Sequence, residues 1–143
     1  MIGLVLATHG ELGRALIGAM EMIVGGQSRV AALSLHVSDR IEDATARLQE
    51  AIDGADEGDG VLVLTDMLGG TPSNLCLALI GGPRSVEVVS GANLPMVLKA
   101  VQVRRDADLG ETAAQVKKVG RNAIIVASEV LAGPGTPPGG DRP

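Results

Sequence analysis

The hydrophobic and polar positions of this chain follow two alternating patterns, one typical of strands and the other of helices. Short, mainly apolar runs indicate buried strands, at residues 2–7, 30–37, 61–64, 85–90 and 123–127. Between these runs, apolar residues recur every three or four positions, which is the period of a helix with one buried face. This period predicts helices at residues 12–23, 41–52, 72–79, 96–103 and 109–118.

Local signals mark where two of these helices begin. Asp39, followed three residues later by Glu42, has the spacing of a capping box. Thr71 before Pro72 has the residue types preferred at the N-cap and at the first helical position. Both signals place the start of a helix shortly after the end of a strand.

The alternation of strands and helices predicts an α/β fold, with a doubly wound parallel sheet and helices on both faces. Strand three, at residues 61–64, is apolar at every position and so suits a central strand covered on both sides. We expect the flavodoxin-like strand order 2-1-3-4. The 143 residues have the length of one domain, with residues 1–131 folded and residues 132–143 forming a disordered Pro/Gly-rich tail.

The composition narrows the classes of ligand. The chain has 12 Lys and Arg against 17 Asp and Glu, a net charge of −5 and no aromatic residue. Binding to a nucleic acid backbone needs clustered basic residues, and single-stranded bases stack on aromatic rings. We therefore expect no nucleic acid partner.

Apolar runs and cysteine usage indicate a protein of the cytoplasm. No run approaches the length of a membrane span, so direct membrane insertion is not expected. The single Cys76 cannot form an intramolecular disulfide, and the first residues do not have the pattern of a secretion signal. Cys76 falls in a helical pattern with no paired Cys or His, so we predict a core position and no metal or other cofactor.

Candidate chemistry lies at the carboxyl ends of strands one and three. In the order 2-1-3-4, successive strands are added on opposite sides of strand one, so the strand order reverses between strands one and three. Ligands bind beyond the carboxyl ends of the strands at that point. Strand one ends at Thr8-His9-Gly10 and strand three at Thr65-Asp66, so His9 and Asp66 should lie side by side. A carboxylate bonded to one imidazole nitrogen leaves the other nitrogen free as a nucleophile.

The turn after Asp66 supplies groups that suit an anion. The backbone N–H groups of Gly69, Gly70 and the helix start at Thr71 can surround a doubly charged group, together with the Thr71 hydroxyl. An imidazole facing such a site indicates phosphoryl transfer. Each feature taken alone is also explained as an ordinary turn or helix start, and only the combination at one switch point favours a site. The predicted rim consists of Thr8, Gly10, Met67, Leu68, Ser73, Asn74, Asn93 and Pro95.

Three motifs resemble those of the mannose-family enzyme IIA domain of the bacterial phosphotransferase system. They are Thr8-His9-Gly10 and the segments at residues 64–74 and 90–96, and they occur in the order and spacing of that family. The resemblance extends over nearly the whole chain, to about residue 131. It covers the same histidine, carboxylate and glycine turn that the strand order brings together.

The resemblance implies a cytoplasmic phosphotransferase with a phosphohistidine intermediate. His9 would accept a phosphoryl group on Nε2 from phosphorylated HPr and pass it to a IIB component for sugar uptake. Asp66 would bind Nδ1–H, while Gly69, Gly70 and Thr71 would hold the phosphoryl oxygens. The resemblance also implies a homodimer in which a final antiparallel strand, at residues 123–127, is exchanged between subunits.

Two departures from the family and two alternative functions stay open at this point. Leu68 stands where some members have an aromatic residue, and a Pro/Gly tail stands where a fused IIB domain is common. One alternative is a regulatory protein of an incomplete phosphotransferase system, whose His9 phosphorylation controls a protein partner. The other is a receiver-like module phosphorylated on Asp66, although strand one does not end in the acidic residues that such modules use for Mg²⁺.

Overall fold

The computed structural model describes residues 1–133 of the chain. Strands and helices alternate through the first two thirds of this part, and helices follow the last strand. The elements are β1 (Gly3–His9), α1 (Leu12–Val24), β2 (Val30–Leu35), α2 (Ile41–Ala55), β3 (Val61–Thr65), α3 (Thr71–Leu77), β4 (Val86–Ser90), α4 (Leu94–Val103), α5 (Leu109–Asn122) and α6 (Ala127–Leu131).

The strands form one parallel sheet in the order β2-β1-β3-β4, which confirms the predicted flavodoxin-like order. In the register of the sheet, His9 of β1 pairs with Leu35 of β2. On the other side of β1, Ala7 pairs with Thr65 of β3. The carboxyl ends of β1 and β3 are therefore adjacent at the point where the strand order reverses.

Two apolar layers, one on each face of the sheet, hold these strand ends in place. The layer against α2 and α3 includes Val5, Leu48, Val63 and Cys76. The layer against α1, α4 and α5 includes Leu4, Met20, Leu62, Val97 and Val116. Cys76 is in the core, as predicted, and burial raises the pKa of its thiol to about 12. Because both faces are covered, β3 is buried along its whole length and β1 up to Thr8.

The prediction of a last strand at residues 123–127 is wrong for the single chain. Ala123 follows the end of α5, and Ala127 begins α6. Between them, Ile124, Ile125 and Val126 are 82%, 57% and 57% exposed. A strand needs a neighbour for its backbone groups, and this segment pairs with no strand of residues 1–133.

The predicted capping box at the start of α2 is also wrong. Arg40 is the N-cap of α2, and no side-chain cap is present there. The Asp39 carboxylate instead accepts the backbone N–H of His36 at 2.8 Å and a hydrogen bond from Arg47 at 3.4 Å. An aspartate that closes its own turn is not available to cap the next helix.

The described chain ends close to the predicted start of the tail at residue 132. Its helices and strands all end at or before Leu131, and Ala132 and Gly133 follow α6. The rest of the predicted tail, residues 134–143, lies outside the described residues.

Within residues 1–133, no helix has both the length and the apolar character needed to cross a membrane.

Candidate active site

His9 and Asp66 lie side by side where β1 and β3 end. His9 Nδ1 is 2.8 Å from Asp66 Oδ2, and the same oxygen accepts the backbone N–H of His9 at 3.1 Å. The other oxygen, Oδ1, accepts the backbone N–H of Met67 at 3.1 Å. One carboxylate thus joins the two strand ends and keeps the proton of the neutral imidazole on Nδ1.

Opposing effects set the charge of Asp66. Burial alone would raise the pKa of its carboxyl, but hydrogen bonds from the His9 side chain and backbone outweigh burial and lower that pKa. Asp66 is therefore an ionised acceptor at neutral pH. The His9 side chain is 48% exposed and the Asp66 side chain only 14%, so a partner can reach the imidazole while its orienting carboxylate stays covered.

The glycine turn after Asp66 approaches the imidazole from another side. A Cβ atom added to Gly70 would lie 2.8 Å from Cε1 and 3.2 Å from Nε2 of His9. Gly70 has an ordinary φ of −85°, so close approach is what requires glycine here. A Cβ atom added to Gly69 would meet nothing within 4 Å, but Gly69 has a φ of +94°, a backbone conformation that favours glycine. One glycine makes the turn, and the other makes room for the histidine.

Helix α3 begins immediately beside this contact. Its N-cap is Gly70, one position before the predicted cap Thr71, which is instead the first residue of the helix. Backbone N–H groups in the first turn of a helix have no acceptor within the helix. Gly70, the N-cap of this helix, lies against the imidazole on the side of Cε1 and Nε2. The arrangement can receive an anionic group at Nε2.

Part of the predicted rim lies at the surface around this site. Met67 and Leu68 directly follow Asp66 and are 56% and 67% exposed. They give the site an apolar border without any aromatic ring. Gly10 lies in the turn between β1 and α1, and Ser73 and Asn74 lie in α3.

Other predicted rim residues have structural contacts instead. The Thr8 side chain is fully buried beneath the strand end. Asn93 Oδ1 accepts the backbone N–H of Met96 at 3.0 Å, and its Nδ2 donates to the carbonyl of Gly120 at 3.2 Å. Its amide therefore caps α4 and binds the end of α5, and Pro95 lies in the first turn of α4.

The sequence did not predict the contact between two hydroxyl groups, those of Thr65 and Ser90, next to Asp66. Thr65 Oγ1 and Ser90 Oγ are 2.8 Å apart and connect the ends of β3 and β4. The backbone N–H of Ala92 donates to the Thr65 carbonyl at 2.9 Å, which attaches the following loop to the same strand end. The available signal was a hydroxyl residue at the end of each of two neighbouring strands.

The strand order and the histidine–carboxylate pair at its switch point define a class, that of flavodoxin-like α/β domains with a histidine site. The profile of the family described as PTS system fructose IIA component, EIIA-man, matches residues 3–117. The chain belongs to this mannose/fructose family of IIA components of the sugar phosphotransferase system. IIA components are phosphotransferases, so the protein acts in phosphoryl transfer linked to sugar uptake.

Individual relatives agree with this assignment. The PTS system fructose-specific EIIA component of Bacillus subtilis is 27% identical over 131 residues, which cover 92% of this chain and 90% of that protein. The mannose-specific EIIAB component of Escherichia coli is 27% identical over 124 residues, or 86% of this chain and 38% of that protein. The crystal structure of the EIIA component from Streptococcus agalactiae gives a TM-score of 0.81 at 28% identity, and the match covers 90% of this chain and 98% of that chain.

Proposed function

We propose that the protein is a cytoplasmic phosphocarrier that is phosphorylated on His9. It accepts the phosphoryl group from phosphorylated HPr and passes it to a IIB component, which phosphorylates the sugar during uptake. The contact of 2.8 Å between His9 Nδ1 and Asp66 Oδ2 carries this proposal. With the proton held on Nδ1, the lone pair of Nε2 is the nucleophile.

The proposed reaction exchanges one nitrogen–phosphorus bond for another. The lone pair of Nε2 forms a bond to phosphorus while the bond to the donor imidazole breaks, and the donor nitrogen keeps the electron pair. The donor ring is protonated on its other nitrogen and leaves as a neutral imidazole, and Nδ1 of His9 retains its own proton, so no proton has to move. The phosphorylated ring becomes positively charged, and the Asp66 carboxylate bonded to Nδ1 stabilises that charge.

Gly69, Gly70 and Thr71 are the proposed ligands of the phosphoryl oxygens. The turn at Gly70 lies against Nε2, and the N–H groups at the start of α3 are the nearest backbone donors of that helix. The rate then depends on positioning and on charge stabilisation. The proposal includes no cofactor, because the donor phosphohistidine is already activated.

Phosphorylation by HPr tests the proposal directly. Wild type, His9→Ala and His36→Ala would be incubated with phosphorylated HPr and weighed by mass spectrometry. We expect one acid-labile, base-stable phosphoryl group on wild type and on His36→Ala, and none on His9→Ala. His36, exposed just after β2, is the matched control. An unmodified wild type, or a phosphorylated His9→Ala, would contradict the proposal.

The receiver-like alternative, with phosphorylation on Asp66, fits the contacts of this carboxylate poorly. Its two oxygens already accept three hydrogen bonds, two from His9 and one from Met67. A carboxylate bound in this way orients the imidazole and is not free to attack phosphorus. A hydroxylamine-sensitive adduct on His9→Ala would reverse this conclusion.

The onward acceptor distinguishes the carrier from a purely regulatory protein. A carrier transfers its phosphoryl group to a purified IIB component of the mannose type. In a regulatory protein, phosphorylation of His9 instead changes the affinity for a protein target, because it adds charge and acceptor oxygens to the surface. Binding by phosphorylated and unphosphorylated protein, compared in parallel with the transfer assay, separates these outcomes.

We also propose that the protein is a homodimer that exchanges its C-terminal segment. Ile124, Ile125 and Val126 are β-branched, exposed and outside the sheet, as expected of a strand without its neighbour. β4 is an edge strand whose residues are all half-buried. Antiparallel pairing of this segment with β4 of a second copy would cover the apolar side chains of the segment and of β4. It would also give hydrogen-bond partners to the backbone groups at the open edge of the sheet.

A further inference from the structure

The backbone on both sides of His9 is anchored to three different elements. The N–H of His9 itself donates to Asp66 at the end of β3. The N–H of Gly10 donates to the carbonyl of Leu35 in β2 at 2.8 Å. The third anchor is the hydroxyl of Thr8, whose Oγ1 accepts the N–H of Gly13 at 2.8 Å, inside the first turn of α1.

The Thr8 contact replaces an ordinary helix cap. Glu11 is the N-cap of α1 but makes no side-chain cap bond, and its carboxylate pairs with Arg14 at 3.1 Å. The first turn of α1 is therefore held by a side chain from the preceding strand. Thr8 and Gly13 are both buried, so water cannot replace this hydrogen bond without a change in structure.

The fit between Thr8 and α1 is tight. A Cβ atom added to Gly13 would lie 3.1 Å from Thr8 Oγ1 and 3.1 Å from the Cβ of Leu6. The helix start can approach the strand this closely because residue 13 is a glycine. Thr8, Gly13 and the hydrogen bond between them thus close a six-residue turn that contains His9.

We infer that Thr8 is a positioning residue for His9. Its hydroxyl sets the path of the turn that carries the imidazole, while Asp66 sets the rotation of the ring. The inference rests on the proposed function, in which the lone pair of Nε2 must point at phosphorus beside Gly70. A displacement of about 1 Å in such a site can slow a reaction by about a hundredfold.

Thr8→Val tests the role of the hydroxyl, because valine keeps the shape and removes the acceptor. We expect Thr8→Val to accept phosphoryl groups from phosphorylated HPr about 10 to 100 times more slowly than wild type, and Thr8→Ser to restore the rate to within about twofold. The matched control is Thr112→Val on α5. Thr112 is also fully buried, but its hydroxyl has no hydrogen-bond partner in the described chain, so this variant should react at the wild-type rate.

A second measurement distinguishes a role of Thr8 in positioning His9 from an effect of Thr8 on the stability of the fold alone. Nitrogen-15 NMR of the His9 ring reports which nitrogen carries the proton, without HPr. We expect the Nδ1–H form to lose population in Thr8→Val and to return in Thr8→Ser. Ile52→Val, which removes a buried methyl group from α2, reproduces a loss of stability and should leave the His9 signals unchanged.

These outcomes separate the inference from the proposed function. The inference is overturned if folded Thr8→Val reacts at the wild-type rate with wild-type His9 signals. If Thr8→Val does not fold, Thr8→Ala takes its place. Failure of both to fold while Thr8→Ser folds would show a general requirement of the fold, and would also overturn a specific role. The proposed function fails on different results, an unmodified wild type or a phosphorylated His9→Ala.

Discussion

Asp66 uses a single oxygen, Oδ2, for both the side chain and the backbone of His9. The imidazole therefore cannot turn away without weakening a contact that also holds the strand end. On its other side, the ring lies against Gly70, where there is no space for a further carbon atom. These two neighbours restrict the orientation of the imidazole.

Gly70→Ala tests the close approach of the turn. The added Cβ would lie 2.8 Å from Cε1 of His9 and displace the ring, so we expect phosphoryl transfer from HPr to slow by about 10- to 100-fold. The φ of −85° suits alanine, so the melting temperature should change little. Initial rates from mass spectrometry and thermal unfolding measure the two effects.

Gly18→Ala is the control for this substitution. Gly18 lies in α1 with ordinary backbone angles, and a Cβ atom there meets nothing within 4 Å. This variant should keep the wild-type rate. A Gly70→Ala protein as active as Gly18→Ala would show that the imidazole adapts, and that glycine at residue 70 is not required for space.

The elements around the site hold one another through contacts at their ends. Thr65 and Ser90 join the ends of β3 and β4, and Asn93 connects the start of α4 to the end of α5. Gly120 allows this crossing, since a Cβ atom there would lie 2.5 Å from Cγ of Met96. The Asn93 amide is thus engaged at both its oxygen and its nitrogen in joining the loop after β4 to α4 and α5.

Asn93→Ala should reduce stability and leave the chemistry almost unchanged. The variant loses the cap of α4 and the bond to α5, at a cost of about 1–2 kcal/mol in the free energy of unfolding. Urea unfolding measures this loss, and the HPr assay measures the rate. Asn122→Ala, at the exposed end of α5, is the control. A fall in rate with unchanged stability would instead make Asn93 a residue of the rim.

For the molecule as a whole, two groups among the exposed apolar residues bear on the proposed contacts with other proteins. Met67 and Leu68 border the site without an aromatic ring, so contact with a partner protein relies on aliphatic side chains there. Ile124, Ile125 and Val126 form the second group, which pairs with no strand of residues 1–133. The second group is the one that the proposed homodimer would cover.

Ile125→Lys should weaken the proposed dimer. A charge within the exchanged segment would have to be buried against the partner, which is unfavourable without a counter-charge. We expect sedimentation equilibrium to show a dimer for wild type and mainly monomer for Ile125→Lys. Met22→Lys, at an 89% exposed position of α1, is the control and should remain dimeric. A monomeric wild type would contradict the proposed exchange.

The sequence by itself determined the strand order and the pairing of His9 with Asp66. The alternation of apolar runs and helical periods indicates a doubly wound sheet, and in the flavodoxin-like order of such a sheet the carboxyl ends of the first and third strands are adjacent. Prediction was less accurate where several local options compete. Asp39 closes its own turn instead of capping α2, and β2 ends at Leu35, two residues before the apolar run does.

Only the tertiary structure decided how the parts of the site meet. The inward hydroxyl of Thr8, the approach of Gly70 to the ring and the two contacts of Asn93 all depend on how elements pack. The same holds for residues 123–127, whose composition favours a strand but which pair with no strand of residues 1–133. Periodicity records which face of an element is buried, whereas distances between residues as far apart in the chain as Asn93 and Gly120 are set by the packing of the whole domain.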